Sequence, residues 1–433
     1  MKGTLGSPSS GEPRFPGRRK KTAWLRRAAV DTRPLRQSRD FRRLWFGTGI
    51  SAIGSQVTTV AIPIQVYELT GSTLLVGLLG AVALVPLLTV PLYAGAVADA
   101  LDRRRVLLIS DLALAAVTVA LLVNALADDP SVPLLFVAEA AATAAYGFQR
   151  PARNAMTPRL VAPDQLTAAI AIEDVVFNFA RLGGPALGGF LISGFGFAGA
   201  YAIDLVTFAA SLVAIWLLPS LPASPEAGRP GFRSVLEGLR YVRTKQSLIG
   251  IFLVDTNAMI FGMPSALFPA FAEELGGGAG TVGLLYAAPY WGALAASLLS
   301  GWVGHVRRQG LGVCVAAGLW GVAIAVFGLA DALWLALLML AAAGAADYVS
   351  AVLRSTIMLA ATPDAMRGRM SGIELAQVAA APSLGNVEAG AVASLAGLRF
   401  SIVSGGVVTV VGTIVLALAL PAFVRYDSRN PDG

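Results

Sequence analysis

GAVADALDRRR (residues 95–105) places five charged residues between two strongly apolar runs. The run before it, residues 76–94, reads VGLLGAVALVPLLTVPLYA, and the run after it, residues 106–123, reads VLLISDLALAAVTVALLV. The hydrocarbon core of a bilayer is about 30 Å thick and takes roughly 20 apolar residues of helix. A charged stretch between two runs of this length predicts a loop at the membrane surface that joins two spanning helices.

The composition of the whole chain agrees with a membrane protein. Of 433 residues, 56% are hydrophobic and 14% charged, and the mean hydropathy is +0.69, which is outside the range of soluble domains. The apolar windows are continuous rather than alternating, so they predict helices and not barrel strands. We expect an all-α integral membrane protein with twelve transmembrane helices in two pseudo-symmetric six-helix bundles. The twelve windows begin near Leu44, Leu74, Val106, Pro133, Leu166, Ala198, Leu248, Thr281, Leu311, Ala332, Met370 and Phe400.

The distribution of positive charge predicts the orientation. When the 33 Lys and Arg residues are placed between the windows, all except Arg181 and Arg399 fall on one side of the membrane. By the positive-inside rule this side is cytoplasmic, so we expect a multi-pass protein of the cytoplasmic membrane with both termini in the cytoplasm. The net charge of +7 follows from this asymmetry and requires no nucleic-acid partner, and the basic tail is expected to lie against anionic lipid.

Charge and composition also divide the chain. Residues 1–40 are rich in Gly, Pro, Ser and Arg and predict a disordered basic cytoplasmic tail. The two predicted six-helix bundles are residues 41–220 and residues 248–425. Between them, residues 221–247 are predicted to form a cytoplasmic linker with an amphipathic helix. Residues 426–433 are predicted to form a second cytoplasmic tail. The chain has one cysteine, Cys314, and one histidine, His305, so we expect no internal disulfide, metal site or other cofactor. An enzyme would need a nucleophile, base and metal set that this composition does not offer. We expect a monomer.

The two predicted bundles repeat one sequence pattern. RNAMTPRLVAPDQLTAAIAIEDV (153–175) and RSTIMLAATPDAMRGRMSGIEL (354–375) both run from Arg to Pro-Asp to a new apolar window, about two hundred residues apart. GWVGHVRRQG (301–310) likewise occupies the place of residues 95–105 in the second half. Repeats of an even number of spans in the same orientation are parallel repeats, which are typical of transporters that rock two bundles about a central site.

Residues 38–425 resemble a twelve-helix transporter of the major facilitator superfamily. GAVADALDRRR is similar to the loop motif of that superfamily, in which Gly is followed by Asp and a cluster of Arg. The segments at 41–45, 65–72, 150–161 and 177–189 (FRRLW, QVYELTGS, RPARNAMTPRLV and FNFARLGGPALGG) resemble the branch that contains the bacterial enterobactin exporter and related efflux proteins. GGPALGG (183–189) is also similar to the glycine-proline motif of antiporters, with Ala180 where that motif has another Gly.

The resemblance implies that the loop is a conformational latch, formed by Gly95, Asp99, Arg103, Arg104 and Arg105. Gly95 allows close approach of a neighbouring helix, and Asp99 places a carboxylate where the N-terminus of an adjoining helix can accept it. Asp102 is a candidate N-cap of the third helix. Ala100 stands where an Arg is usual and Asp102 where a Gly is usual. Plain anchoring of the loop at the headgroups is the alternative interpretation.

Ionisable side chains inside spanning helices are candidates for the transport pathway, because the bilayer tolerates them only at a cavity or beside a partner. Asp174, Asn178 and Arg181 are four and seven residues apart in the fifth window and share one helix face. They either line the central cavity or form a buried ion pair between helices. Asp204 receives no role. Asp255 and Asn257 fall near the middle of the seventh window and Gln56 at a comparable depth in the first, so they are candidates too. The resemblance implies that the first, fourth, seventh and tenth helices line the cavity, which adds Glu139, Tyr146 and Asp347.

No phosphate-binding Gly-Lys-Ser/Thr loop is present in the sequence, so transport is expected to use a gradient. A carboxylate in an apolar cavity retains a proton more readily, and Asp255, Glu139 and Asp174, in that order, are the expected proton carriers. The resulting expectation is a secondary active transporter that couples protons to the efflux of a small organic molecule, drug-like or siderophore-like, by alternating access. A proton-coupled importer in the same fold and a membrane sensor or lipid-handling protein without transport are the alternatives.

Overall fold

The computed structural model of the chain describes residues 31–220 and 232–428, and all regular structure in these two ranges is helical. Residues 1–30 of the expected N-terminal tail lie outside the described residues, as do residues 221–231 of the expected linker and residues 429–433 of the second tail. The division into two bundles and two tails therefore stays a prediction at its boundaries.

The first half of the chain folds into six long helices. A short helix, Arg33–Gln37, precedes them. The segment Leu166–Trp216 is interrupted at Gly196, whose φ of 67° and ψ of −178° are not helical, and a residue without a Cβ adopts such a positive φ without strain. We label the helices α1 (Arg39–Thr70), α2 (Thr73–Ala100), α3 (Arg103–Leu126), α4 (Val132–Leu160), α5 (166–195) and α6 (197–216).

The second half repeats this arrangement after a connector helix, Phe232–Val242. The seventh helix is followed by a turn of 3-10 helix, Ser265–Leu267, and a short helix, Phe268–Glu274. A 3-10 segment, Ser300–His305, takes the place of the loop motif in this half. The long helices are α7 (Gln246–Phe261), α8 (Ala279–Leu298), α9 (Gln309–Gly328), α10 (Leu333–Ala361), α11 (Asp364–Ala396) and α12 (Leu398–Ala419).

These helices begin where the sequence predicts them. Each of the twelve starts within six residues of a predicted apolar window. By length and composition, eight segments of the described residues could cross a membrane, and one of them, Pro163–Trp216, contains both α5 and α6. The other three long helices, α4, α8 and α11, are less apolar and pack into the same assembly.

Local signals explain several helix ends. Ser38 accepts a hydrogen bond from the backbone N–H of Phe41 at 3.1 Å, and Ser72 accepts one from Leu75 at 3.3 Å, so both serines cap the helices that follow. α1 ends at Gly71, which has a φ of 62°. A left-handed residue at this position is a common helix stop.

Within each half the helices form a compact group, and two helix pairs join the halves. α1 packs along α5 and α6, while α4 packs against α2 and α3. In the second half α10 packs against α8 and α9, and α12 packs against α9. Between the halves, the main contacts are those of α2 with α11 and of α5 with α8. This is the arrangement of two six-helix groups around a central axis that the sequence repeat predicts.

Both joining pairs are tightest at the side away from the chain ends. We call this side the far face, and the side where α1 begins and α12 ends the tail face. A Cβ at Gly283 in α8 would lie 2.5 Å from the carbonyl oxygen of Pro185 and 3.0 Å from the Cα of Gly189 in α5. A Cβ at Gly390 in α11 would lie 2.6 Å from the carbonyl oxygen of Thr73 in α2. The helices touch backbone to backbone, which closes the far face.

The connector helix lies at the tail face against the second half. Glu237 pairs with Arg369 of α11 at 3.1 Å, and the Tyr241 hydroxyl donates to the carbonyl oxygen of Ala361 at 2.9 Å. Val242 is buried, while Leu239 stays exposed. The helix Phe232–Val242 is therefore held to α10 and α11.

Candidate transport site

A cavity of about 650 Å³ lies between α1, α4 and α5. Its lining runs from Gln56 and Tyr146 at mid-helix to Pro158 and Leu166, at the end of α4 and the start of α5. Because α4 ends and α5 begins at the tail face, the cavity extends to that face, whereas the far face is closed. Five expected pathway residues lie in the lining: Gln56, Tyr146, Asp174, Asn178 and Arg181.

The α5 residues face the cavity as their spacing predicts. Asp174, Asn178 and Arg181 are exposed and line the cavity, and none of them has an ion pair among the described residues. The alternative interpretation, a buried ion pair between helices, is therefore not what the structure places there. Neighbouring Glu173 accepts a hydrogen bond from Thr157 of α4 at 2.7 Å, which ties the walls of the cavity together.

The cavity also contains Arg153 of α4. Its guanidinium carbon lies 4.0 Å from the centroid of the Phe177 ring of α5. Within residues 31–220 and 232–428 it makes no ion pair, and its Nε is buried without a hydrogen-bond acceptor. A guanidinium over an aromatic face is held by the ring's negative electrostatic face. The Phe177 ring therefore holds Arg153 in position, and the carboxylates of Glu173, Asp111 and Asp174 attract its charge through space without forming an ion pair.

Asp255 of α7 lies in a charged cluster at the centre of the second half. Its carboxylate forms an ion pair with Arg354 of α10, and both side chains are almost fully buried. Gln377 of α11 donates its amide to Asp255 Oδ2 at 3.1 Å and also to Thr256 Oγ1 at 3.0 Å. The expected residue Asp347 is 3.8 Å from the other terminal nitrogen of Arg354 and has a half-exposed side chain. Arg354 thus links α10 to α7, and Gln377 links α11 to α7.

Glu139 of α4 lies beside a smaller cavity of about 120 Å³, together with Asp204 of α6. Asp204 is fully buried and accepts hydrogen bonds from the hydroxyls of Thr58, Thr118 and Thr207, of which the last two are 3.5 and 3.2 Å long. The two cavities share the Tyr146 side chain.

Asp204 is the buried carboxylate that sequence reasoning missed. An ionisable side chain inside an apolar window is the signal for a pathway residue, and Asp204 carries it as the other candidates do. Its position near a helix end is the reason that it received no role. Among the described residues, no cluster of three or more His, Cys, Asp and Glu side chains is placed to hold a metal ion.

Asn257, another expected pathway residue, packs against a neighbouring helix. Its amide donates to the carbonyl oxygen of Thr409 at 2.9 Å and lies 3.4 Å from Thr413 Oγ1, both on α12. A Cβ at Gly412 would collide with the same amide group. Asn257 therefore holds α7 to α12 and is turned away from Asp255.

The loop motif joins α2 and α3 at the tail face. Gly95 and Asp99 belong to the last turns of α2, and their side-chain surroundings lie outside the described part of the structure. Asp102 caps α3, as expected, by accepting from the N–H of Arg104 at 2.9 Å.

The arginines of the motif differ in their surroundings. Arg104 Nε donates to the carbonyl oxygen of Ile215 at 3.2 Å, and its Nη2 donates to that of Trp216, so it satisfies the C-terminal end of α6. Arg103 is buried and Arg105 exposed. The loop motif therefore anchors α3 to α6 in this conformation.

Two six-helix groups, the first of which contains a charged cavity between α1, α4 and α5, define a multi-pass membrane transporter of the major facilitator type. The chain belongs to the transmembrane secretion effector family, whose profile matches residues 30–432. It is 29% identical over 392 residues to the enterobactin exporter EntS of Citrobacter koseri, covering 90% of this chain and 94% of that one. The enterobactin exporter EntS of Shigella boydii is 27% identical over 411 residues, covering 95% and 98%.

Solved structures share the fold at lower identity. The nucleoside transporter NupG superposes with a TM-score of 0.71 at 14% identity, over 90% of this chain and 100% of that one. A bacterial homologue of the human lysosomal transporter Spinster, in an inward-facing and unoccupied conformation, superposes with a TM-score of 0.67 at 17% identity, over 90% and 97%. These likenesses establish the fold and leave the substrate open.

Proposed function

We propose that this protein is a secondary active exporter that moves a small organic molecule, drug-like or siderophore-like, out of the cell by alternating access with protons as the coupling ion. The observation that carries the proposal is the charged cavity, which reaches the tail face while backbone contacts close the far face. A site open on one side and closed on the other is one of the two end states that alternating access requires. Similarity to enterobactin exporters favours export.

Asp255 is the proposed proton carrier. In this conformation its carboxylate is paired with Arg354, and a buried carboxylate stays ionised as long as such a partner is present. Protonation would remove the charge that holds Arg354 and release the link between α7 and α10. Proton binding at Asp255 would thus be tied to helix rearrangement. Glu139 and Asp174, in that order, are the next carriers to test.

The membrane setting and the loop complete the proposal. The tail face, which carries most of the Lys and Arg residues, is placed in the cytoplasm by the positive-inside rule, so both termini are cytoplasmic and the membrane is the cytoplasmic one. Gly95, Asp99 and Arg103–Arg105 act as a latch that changes partners when the tail face closes. The protein works as a monomer, since each chain provides a complete cavity.

The test uses purified protein in liposomes that contain a trapped pH-sensitive dye, with an imposed proton gradient. Cationic drugs and catecholate siderophores are added one at a time, and both substrate and proton movement are followed. The wild type should show substrate-dependent proton flux, and Asp255→Asn should abolish that flux. Glu237→Gln, which removes a carboxylate from the surface pair with Arg369, is the control and should behave as the wild type.

Each result separates one part of the proposal from the others. Substrate movement without proton flux would refute the coupling mechanism. Normal flux in Asp255→Asn, Glu139→Gln and Asp174→Asn would refute the assignment of the carrier. Substrate that moves only toward the tail-face side under the gradient would identify an importer, and no movement of any compound would favour a sensor or lipid-handling role.

A further inference from the structure

The internal repeat provides two equivalent arginines for comparison. Arg153 on α4 and Arg354 on α10 open the two repeated segments, and Glu173 on α5 and Glu374 on α11 stand at the same spacing behind them. Each arginine therefore occupies the fourth helix of its half, beside the fifth helix. In a parallel repeat such positions face the central axis from opposite sides.

The two arginines differ in how their charge is balanced. Arg354 is neutralised by the carboxylate of Asp255 and has Asp347 3.8 Å away. At Arg153 the corresponding contact is the ring of Phe177. A ring attracts a cation but does not cancel its charge. One half of the repeat thus contains an arginine in a direct ion pair, and the other half an arginine that Glu173 attracts only through space.

One hydrogen-bond donor of Arg153, its Nε, is unsatisfied among the described residues. The guanidinium carbon lies over the Phe177 ring, and the five N–H groups of an arginine lie in the plane of its guanidinium. In the described part of the chain these groups meet no carboxylate, and the buried Nε has no acceptor. This planar fork matches the two oxygens of a carboxylate. An acceptor supplied by a ligand in the cavity would satisfy it.

The net charge of the whole lining, with Arg153 included, is positive. The lining contains three arginines, Arg150, Arg153 and Arg181, and two carboxylates, Glu173 and Asp174, which is an excess of one positive charge. The excess lies in a site walled by low-dielectric helices, where an electric field is focused. A cationic molecule would meet an unfavourable field there, and an anionic molecule would restore neutrality.

We infer that the transported molecule is an organic anion whose carboxylate is bound by Arg153. This inference rests on the proposed function, because it assigns the substrate class of the same cavity. It places Arg153 in direct contact with substrate, with Phe177 as the support that holds the guanidinium in place.

The experiment measures equilibrium binding of two xanthene dyes to the protein in nanodiscs by fluorescence anisotropy. Carboxyfluorescein is anionic and rhodamine 123 is cationic on a similar ring skeleton, so their comparison isolates charge. The wild type should bind carboxyfluorescein at least about tenfold more tightly than rhodamine 123. Arg153→Gln should weaken carboxyfluorescein binding by about tenfold or more, the loss expected for a charge-assisted hydrogen-bond pair, and should leave rhodamine 123 binding unweakened.

Two further variants control for misfolding. Arg367→Gln removes the same group from an exposed pair with Asp364 at the tail face and should leave both affinities within about twofold of the wild type. Glu173→Gln keeps Arg153 and removes a negative charge from the lining, so it should tighten carboxyfluorescein binding. Three results would each overturn the inference. Arg153→Gln and Arg367→Gln could lose the same amount of carboxyfluorescein affinity, or Glu173→Gln could fail to gain any. The wild type could also bind rhodamine 123 more tightly than carboxyfluorescein.

The binding assay needs no gradient and is therefore independent of the vesicle assay. A protein that binds carboxyfluorescein through Arg153 but moves no compound in liposomes would refute the proposed function and support the binding site. A protein that exports cationic drugs with proton counterflow and does not bind the anionic dye would refute this inference alone.

Discussion

Replacing Gly283 with Ala should shift the protein away from the conformation described here and open its far face. Gly283 lies on α8 where this helix meets the backbone of α5. The added Cβ would lie 2.5 Å from the carbonyl oxygen of Pro185, whereas ordinary contacts of this kind begin at 3.4 Å. The neighbouring atoms are backbone, so no side-chain rotation relieves the clash. The helices must separate by about 0.9 Å, the difference between these distances.

The size of the effect follows from the cost of overpacking. Inserting a methyl group into a tightly packed contact costs about 1–3 kcal/mol. Only the far-face-closed conformation bears this cost, because the contact is broken when the far face opens. Since about 1.4 kcal/mol is a tenfold change in an equilibrium constant, the ratio of closed to open protein should fall by roughly 5-fold to 150-fold.

The assay is a distance measurement between spin labels by electron paramagnetic resonance. Labels are attached at Gly194→Cys, at the end of α5, and Gly278→Cys, just before α8, where an added side chain meets no neighbouring atom. The single native cysteine, Cys314, is buried and is replaced by Ser. The longer-distance population should increase in Gly283→Ala relative to the labelled parent.

Gly183→Ala is the matched control. Gly183 lies on α5, the helix that Gly283 of α8 contacts, and an added Cβ at Gly183 has no atom within 4 Å. This control should leave the distance distribution unchanged. If Gly283→Ala and Gly183→Ala give the same distribution, or if the Gly283→Ala distances shorten, backbone contact between α5 and α8 does not close the far face and the reasoning fails.

Three further predictions concern stability, measured as the apparent melting temperature in detergent. Arg354→Gln strands the buried Asp255 carboxylate and should cost about 3–5 kcal/mol, most of which the double variant with Asp255→Asn should recover; additive losses would contradict the ion pair. Asp102→Ala removes the N-cap of α3 and should cost about 1 kcal/mol, while Asp102→Asn should cost little; an equal loss in both would exclude capping. Glu237→Gln breaks an exposed pair with Arg369 worth less than about 1 kcal/mol, so a large drop in melting temperature would show a stronger role for the connector helix.

The positions of the long helices could be predicted because the signal for them is local. A window of about 20 residues either is apolar enough to cross the bilayer or is not, and the start of each helix follows from that window and its flanking charges. The cap at Asp102 was equally accessible, since an acidic residue directly before an apolar run is a local start signal. No knowledge of a distant neighbour is needed for either prediction.

The direction in which each side chain points was less accessible. Asp255 and Asn257 were expected in one cavity, yet side chains two positions apart on a helix point in directions that differ by about 200°. The structure accordingly turns Asp255 toward α10 and α11, and Asn257 toward α12. The partners of Asp204, Thr58 on α1 and Thr118 on α3, are far away in sequence, so its hydrogen bonds were not predictable either. Helix rotation and distant partners are properties of packing, and a single sequence does not list them.

α11 gives the proposed coupling a physical route from Asp255 to the far face. Near its middle, Gln377 holds the Asp255 carboxylate, and farther along Asn386 accepts a hydrogen bond from Ser265 Oγ at 2.6 Å. Gly390, thirteen residues beyond Gln377, packs on the backbone of α2 at the far face, which is a distance of about 20 Å along a helix. Pro382 lies between the two points and removes one backbone hydrogen bond, so the helix can bend there. A change of charge at Asp255 alters its hydrogen bond to Gln377 in the tail-face half of α11. The far-face half of α11 carries the contact of Gly390 with α2, which must open. Coupling therefore needs no chain of side chains between the two sites, because one helix touches both.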